Sequence, residues 1–315
     1  MYNLVERRPL WFIISLLFIV PGILFCIWFS ATQGTILPLS IDYTGGTLWE
    51  MRFENPVTPG EMRQAFEEAG YSGAVAFPVE DDRTIQVKSK EIDIDAKEVV
   101  KAAIEERFGA FEERSYRSIG PTIGAEVSRA ALIAVIVSSL LIMVYIAFAF
   151  RAVENPFRYG VCAVAALVHD VLVMVGFIAL MYFVAGWEVD ALFLTAALTV
   201  IGFSVNDTIV VFDRIRENVK RYRAESFATV ANRSLIETAQ RSLGTVVTVL
   251  FVMVSILVLG GASIQRFMAV LVIGVISGTY SSLFNATPLL VAWEERSLLP
   301  RKKRASALRE QTASA

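Results

Sequence analysis

The sequence predicts a polytopic α-helical membrane protein that carries one water-soluble α+β domain. Hydrophobic residues fill 55% of its 315 positions and charged residues 19%, and its mean hydropathy is +0.55. Soluble domains have about 25% charged and roughly 45–50% apolar residues. Six apolar stretches are long enough to cross a bilayer, and one long polar stretch separates the first from the second. This composition excludes an ordinary soluble enzyme and a disordered protein.

The apolar stretches predict six transmembrane helices, because about 20 predominantly apolar residues in a helix span the hydrocarbon core. The first stretch is longer than the apolar region of a signal peptide, which has about 7–15 residues, so we expect a retained anchor. The predicted spans are residues 10–30, 130–150, 156–185, 191–212, 243–261 and 267–293.

The polar stretch predicts a small domain of alternating strands and helices. Thr58-Pro59-Gly60-Glu61 is a capping box with proline at the first helical position, and Asp95 with Glu98 is expected to start a second helix. Residues 39–53 are expected to form a strand pair or a bent strand interrupted at Gly45-Gly46. Further strands are expected at residues 73–79, 84–89 and 111–119, with a turn at residues 80–83 before the second of these. The order β-α-β-β-α-β is that of a ferredoxin-like domain.

The distribution of basic residues predicts the orientation. Segments expected in the cytoplasm hold 17 of the 29 Lys and Arg residues, whereas the short loop near residues 186–190 has none. Basic residues in short loops mark the cytoplasmic side, and large domains cross the membrane regardless of charge. We therefore expect both termini in the cytoplasm and the soluble domain on the outer side of the membrane. The predicted regions are the N-terminus with span 1 (1–31), the extracytoplasmic domain (32–128), spans 2–6 (129–294) with a cytoplasmic loop (213–241), and a basic tail (295–315).

Cysteine and histidine content limits the chemistry. Cys26 and Cys162 both lie in apolar runs, so neither a disulfide framework nor a zinc motif is predicted. His169 is the single histidine, which excludes a multi-histidine metal site. The sequence contains no nucleophile–base pattern and no phosphate-binding loop. We expect no enzyme activity, no cofactor and no nucleic-acid partner.

Asp207 is the first candidate functional residue, because an aspartate at the centre of a span costs about 2.5 to 3.5 kcal/mol. Thr195, Thr199, Gly202 and Asn206 recur beside it at helical spacing. This polar stripe is typical of a helix that lines a hydrated path. Asp207 lies about 24 Å along its helix from the outer end, on the cytoplasmic side of the membrane midplane.

Arg241, at the cytoplasmic start of the fifth span, is the expected partner of Asp207. An ion pair would keep the aspartate ionised, and separation would favour proton uptake. Alternatively, Arg241 is a positive-inside anchor and Asp207 a fixed structural residue. His169 and Asp170 lie near the middle of the third span, about 100° apart around the helix. They form either a relay element or an internally hydrogen-bonded unit.

Glycines mark three further features. Gly274, Gly278 and Ser282 are spaced by four in the sixth span and predict a close helix contact, within this chain or with a partner. Gly45-Gly46 predicts a bend with positive φ, next to Asp42 as a solvated strand residue. The stretch Gly120-Pro-Thr-Ile-Gly-Ala-Glu126 is expected to form a corner between the domain and the second span, or a hinge.

Five motifs, in this order, resemble the SecF family, the smaller subunits of the SecDF accessory complex of the bacterial protein-export translocon. The resemblance covers nearly the whole chain. The motifs are Asp42-Tyr-Thr-Gly-Gly-Thr47, Gly120-Pro-Thr-Ile-Gly-Ala-Glu126, Ala166-Leu-Val-His-Asp170, Ile201-Gly-Phe-Ser-Val-Asn-Asp-Thr-Ile-Val-Val-Phe-Asp-Arg-Ile-Arg-Glu217 and Ser277-Gly-Thr-Tyr-Ser-Ser282.

The resemblance implies a protein of the RND transporter superfamily that pairs with SecD to form a pseudo-symmetric bundle of twelve helices, of which this chain supplies half. It also implies use of the proton-motive force in preprotein export, without ATP hydrolysis. The proton-path residues of the family match Asp207 and Arg241, and a third carboxylate belongs to SecD. The family usually has threonine after the arginine, whereas this chain has Ser242, which keeps the hydroxyl.

Two other functions are compatible with the residues alone: an RND-type exporter of small hydrophobic substrates, and a membrane adaptor whose charges are static. The expected partners are a SecD-like subunit, a SecYEG-type channel, the translocating preprotein and membrane lipid. The basic tail Arg301-Lys-Lys-Arg304 would contact anionic lipid, ribosome or channel, or act only as a topogenic signal.

Overall fold

The computed structural model describes residues 3–79, 81–153 and 155–298, which form two compact units. Within the described residues, the membrane unit comprises residues 3–36, 135–153, 155–187 and 192–298, and the soluble unit comprises residues 37–79, 81–134 and 188–191. The basic tail at residues 301–304 and Glu80 of the predicted turn lie outside the described residues.

The described residues contain ten α-helices and four strands. In chain order the elements are α1 (Arg8–Gln33), α2 (Ile41–Thr44), β1 (Gly46–Phe53), α3 (Pro59–Glu68), β2 (Val75–Val79), β3 (Asp81–Ser89), α4 (Ile94–Phe108), β4 (Phe111–Ile119), α5 (Pro121–Ala149), α6 (Pro156–Ala185), α7 (Ala191–Arg221), α8 (Phe227–Leu259), α9 (Ala262–Ser281) and α10 (Thr287–Glu294). A π-helical turn, Ser282–Ala286, joins α9 to α10.

Six candidate membrane spans occur in the described residues, as the apolar stretches predict. They are Val5–Gln33, Pro121–Ala149, Pro156–Ala185, Ala191–Arg221, Phe227–Leu259 and Ile264–Glu294. The segment expected as a cytoplasmic loop at residues 213–241 is helical except near residues 222–226, because α7 and α8 each extend beyond the apolar stretch.

The membrane unit is packed through glycines that let helices approach closely. A Cβ added to Gly22 of α1 would lie 2.9 Å from the Gly176 Cα of α6. A Cβ added to Gly278 of α9 would lie 3.1 Å from the Ser204 Cβ of α7, and one added to Gly274 would clash with the Val200 side chain. The small-residue face of the sixth span therefore packs within this chain, against α7.

The second unit contains a four-stranded sheet in the order β2-β3-β1-β4, in which every neighbouring pair is antiparallel. The core contains the fully buried side chains of Trp49, Met62, Phe66 and Ile85. The predicted capping box is confirmed: the Thr58 hydroxyl accepts from the Glu61 N–H, and the Glu61 carboxylate accepts from the Thr58 N–H.

Three local predictions in this unit are wrong. The segment expected as a strand from residue 39 contains the short helix α2, and β1 begins only at Gly46. The second helix is capped by Asp93, whose carboxylate accepts from the Ala96 N–H, so it begins before Asp95. The expected turn at 80–83 is shorter, because β3 already begins at Asp81.

The two glycine motifs of the soluble unit lie against each other. Gly45 has φ of 71° and Gly46 of 118°, which confirms the predicted bend with positive φ. A Cβ added to Gly124 would lie 2.5 Å from the Gly45 nitrogen, and one added to Gly45 would lie 2.7 Å from the Pro121 Cα. This close backbone contact makes the start of α5 a packed corner.

The loop at residues 188–191 is bound to the soluble unit. The Val189 N–H donates to the Pro38 carbonyl (2.7 Å), and the Lys88 ammonium pairs with Glu188 (2.7 Å). Asp42 accepts from the Ala191 N–H, the first residue of α7 (3.0 Å). Asp42 is therefore not the solvated strand residue that was expected.

Two groups at this loop have shifted pKa values. Burial raises the pKa of Tyr43 to about 12, with the negative charges of Asp190 and Asp42 adding to the effect. Burial also raises the pKa of Glu188, against the opposing effect of the Lys88 charge. Both shifts reflect a loop held in a poorly hydrated position.

Candidate functional site

Asp207 lies on α7 in the membrane unit and is partly buried. The side chains that interact with its carboxylate are the hydroxyls of Ser242 on α8 and Thr279 on α9. Ser242 is 2% exposed, and its oxygen has no hydrogen-bond partner among the described residues, so its contact with Asp207 is longer than a formed hydrogen bond. The Thr279 hydroxyl donates to the Val275 carbonyl (3.0 Å). Asp207 is therefore placed among three helices without being tightly bound.

The expected ion pair between Asp207 and Arg241 is not formed within 4.0 Å, judged over the residues that the structure describes. Arg241 is exposed on α8, directly before Ser242. The structure thus brings the hydroxyl of Ser242 towards Asp207 and leaves the neighbouring guanidinium outside the site.

The polar stripe of α7 lies on an exposed face of the membrane unit. Thr195, Thr199, Gly202 and Asn206 are all exposed. The Thr199 hydroxyl donates to the Thr195 carbonyl (2.7 Å), and a Cβ added to Gly202 would meet no atom within 4 Å. Polar groups at membrane depth face protein or a water-filled cavity instead of lipid. The stripe consequently needs a covering that the described residues do not provide.

Asp170 is enclosed in a cage of hydrogen-bond donors and is 0% exposed. Its Oδ2 accepts from the hydroxyls of Ser204 (2.7 Å) and Ser281 (2.8 Å). Its Oδ1 accepts from the hydroxyl of Ser277 (2.8 Å) and lies 3.0 Å from the Nδ1 of His169. These donors come from α6, α7 and α9, so one carboxylate joins three helices.

His169 faces the opposite side of this cage. Its ring stacks on Tyr280 with 5.9 Å between centroids, and the Tyr280 hydroxyl donates to the Trp11 carbonyl of α1 (2.7 Å). His169 Nε2 is buried with no hydrogen-bond partner in the described part of the chain. The side chains of His169 and Asp170 thus point in different directions, as their separation of 100° around the helix requires, although they are hydrogen-bonded to each other.

The π-helical turn introduces a second buried polar contact on α1. The Ser15 hydroxyl donates to Asn285 Oδ1 (2.9 Å), and Asn285 Nδ2 is buried without a partner among the described residues. A π-turn inserts one extra residue into a helical turn and is frequent at functional sites. Pro288 follows this turn at the start of α10.

Sequence reasoning missed the serine cage. Ser277 and Ser281 are four residues apart on one face of α9, and that spacing was the available signal. No cluster of three or more histidine, cysteine, aspartate or glutamate side chains suitable for a metal occurs in the described ranges.

Comparison with known proteins gives consistent matches. A family model described as protein export membrane protein SecD/SecF, C-terminal, matches residues 99–296. The chain is 44% identical over 310 residues to the protein translocase subunit SecF of Thermobaculum terrenum, covering 95% of this chain and 96% of that protein. It is 32% identical to the protein translocase subunit SecDF of Bacillus subtilis, covering 94% of this chain and 39% of that protein.

A solved structure is similar as well. The crystal structure of SecDF from Thermus, a translocon-associated membrane protein, matches with a TM-score of 0.77 and 31% identity over 94% of this chain and 39% of that one. The chain therefore spans less than half of the SecDF proteins that it matches.

Proposed function

The chain belongs to the SecF family of protein translocase subunits, and we propose that it acts with a SecD-like subunit to promote preprotein export by means of the proton-motive force. The observation that carries this proposal is Asp207, a loosely held carboxylate next to an exposed polar stripe on a membrane helix. On this proposal the chain is a transport subunit and not an enzyme. Its place is the bacterial cytoplasmic membrane, with both termini in the cytoplasm.

The exposed stripe supports a second membrane subunit as partner. Lipid cannot satisfy Asn206 or hydrate the neighbourhood of Asp207. In the SecDF of Bacillus subtilis, the region similar to this chain is 39% of one longer polypeptide, which supports a SecD-like half as the missing cover. The paired halves would form an RND-type bundle, to which this chain contributes six helices.

The soluble unit supports contact with the exported chain. Its strand order and antiparallel pairing are those of a ferredoxin-like domain, and we assign it to that class. We place it outside the membrane, where it would meet the preprotein leaving a SecYEG-type channel. The solved SecDF is described as translocon-associated, in keeping with this partner.

The proton step would occur at Asp207, with Arg241 and Asn206 beside it. In this structure Arg241 is exposed and separate from the aspartate. We propose that Arg241 pairs with ionised Asp207 in a second state, and that proton uptake releases it. One charge crossing the field supplies about 2.3 kcal/mol per 100 mV. Inverting a two-state equilibrium from 1:99 to 99:1 requires about 5.5 kcal/mol, so a few protons suffice.

The test is Asp207→Asn in membrane vesicles that contain the full chain, a SecD-like partner and the channel. We expect gradient-dependent preprotein release to fall to the level without a gradient, because the amide cannot carry a proton. Asp213→Asn is the matched control: it changes an exposed carboxylate on the same helix, which pairs with Arg216 (2.6 Å). Arg241→Gln should also lose the gradient dependence, and Arg241→Lys should retain part of it. Full gradient-dependent release by Asp207→Asn would refute the proposal.

A further inference from the structure

We propose that Asp170 is a positioning residue: a carboxylate that accepts hydrogen bonds from α7 and α9, fixes these two helices against each other and so sets the place of Asp207, which carries the proton. The proposal rests on the proposed proton function of Asp207. It assigns different roles to two carboxylates that lie in neighbouring helices of the same unit.

The donors around Asp170 match the acceptor capacity of an ionised carboxylate. Each of its two oxygens lies within hydrogen-bond distance of two polar groups, which are three serine hydroxyls and the imidazole Nδ1; the Ser281 hydroxyl also lies 3.1 Å from the Gly278 carbonyl. An ionised carboxylate offers about four acceptor sites and no donor, so all of its positions are used. Hydrogen bonds to the charged form favour that form.

The imidazole geometry agrees with a fixed charge. A neutral imidazole that donates from Nδ1 to Oδ1 has Nε2 as its bare nitrogen. This nitrogen is buried without a hydrogen-bond partner among the described residues, and the ring stacks on Tyr280. The side chains around the pair contain no second carboxylate and no cation among the described contacts.

The cage is linked to Asp207 through the register of α7 on α9. Ser204 lies three residues before Asp207 on α7, so the two share one side of that helix. Ser282 donates to the Ser204 carbonyl (3.0 Å), and Thr208 bonds to Ser282 (2.9 Å). These contacts hold the same stretch of α9 that presents Thr279 to Asp207. Loss of the cage would shift that hydroxyl relative to the carboxylate.

The test compares hydroxyl deletions with charge deletions in the full complex. Ser204→Ala with Ser281→Ala removes two donors and no titratable group. We expect gradient-dependent export to fall about tenfold, since hydrogen bonds to charged groups carry effects of that order. We also expect the midpoint of its pH profile to move. The control is Ser255→Ala, whose hydroxyl bonds only to the Phe251 carbonyl of its own helix (2.7 Å). A reduced amplitude with an unchanged midpoint would indicate a merely structural role and overturn the proposal.

Infrared difference spectra of the complex on acidification separate the two carboxylates. The protonated-carboxyl band should disappear in Asp207→Asn and remain, with a shifted midpoint, in Asp170→Asn. If the protonated-carboxyl band is lost in Asp170→Asn and not in another variant, Asp170 carries a proton and this inference is refuted. The proposed role of Asp207 is not refuted by that result. If Asp170→Asn does not assemble, the pH midpoint of export by the double serine variant still tests the proposal. Persistence of the full band in Asp207→Asn would refute the proposed function itself.

Discussion

Two aspartates in one membrane unit are held in contrasting ways. Asp170 is 0% exposed and accepts at both oxygens from hydroxyls on α7 and α9. Asp207 is partly buried and lies near the hydroxyls of Ser242 and Thr279. The Ser242 hydroxyl forms no hydrogen bond among the described residues. Both charges are expensive in a bilayer, but only the first is fully compensated. A carboxylate with its acceptor positions filled joins helices, whereas an under-compensated carboxylate takes up a proton at lower cost.

The largest expected difference between the two is in stability. Asp170→Ala leaves three buried serines and an imidazole without their acceptor, and we expect a loss of about 3–5 kcal/mol, the scale for breaking a buried charged network. Asp207→Ala should leave stability unchanged or raise it, because it removes a poorly compensated charge from a span. Unfolding of the full chain in detergent, followed by circular dichroism, measures both. Equal losses of stability in Asp170→Ala and Asp207→Ala would show that the two carboxylates are not held differently.

Hydropathy and local patterns predicted the elements of this fold better than their contacts. The six spans and the capping box at Thr58 follow from residues close in sequence. The Asp170 cage depends on residues 34, 107 and 111 positions away, and no local pattern identifies such partners. The same reason explains the error at Asp42, whose partner Ala191 is 149 positions away. Asp207 was identifiable because its polar stripe lies on its own helix.

Two glycines provide an intermediate test, because each lies near one of the aspartates. Gly278→Ala places a Cβ 3.1 Å from the Ser204 Cβ, which pushes α9 from α7 at the Asp170 cage. We expect a loss of about 1–3 kcal/mol, as for other overpacked contacts. Gly202→Ala meets no atom of this chain within 4 Å and should stabilise its helix by about 0.5–1 kcal/mol.

Export assays extend this comparison to the partner. Gly202→Ala should impair gradient-dependent export only if another subunit covers the stripe, and its effect should vanish in the isolated chain. If Gly278→Ala leaves the free energy of unfolding in detergent unchanged, α7 and α9 are not held in register at that contact.

The smallest expected effect concerns a third carboxylate, Glu61, which is hydrogen-bonded like Asp170 but fully exposed. The Thr58 hydroxyl donates to Glu61 (2.6 Å), and this bond, followed by the Thr58 N–H, lowers the Glu61 pKa below its usual range. Since the folded pKa is lowered, the stabilisation is present above the ordinary glutamate pKa and is lost as the pH falls through the lowered value.

Thr58→Ala should destabilise α3 by about 1 kcal/mol at neutral pH, the usual cost of a lost N-cap, and flatten its acid dependence. Hydrogen exchange at the first turn of α3, measured in the full chain against pH, checks both. If the stability of α3 in Thr58→Ala still depends on acid to the same extent, solvent and not the hydrogen bonds sets the charge of this exposed carboxylate. Compensation of a carboxylate by hydrogen bonds, as at Asp170, would then be confined to buried sites.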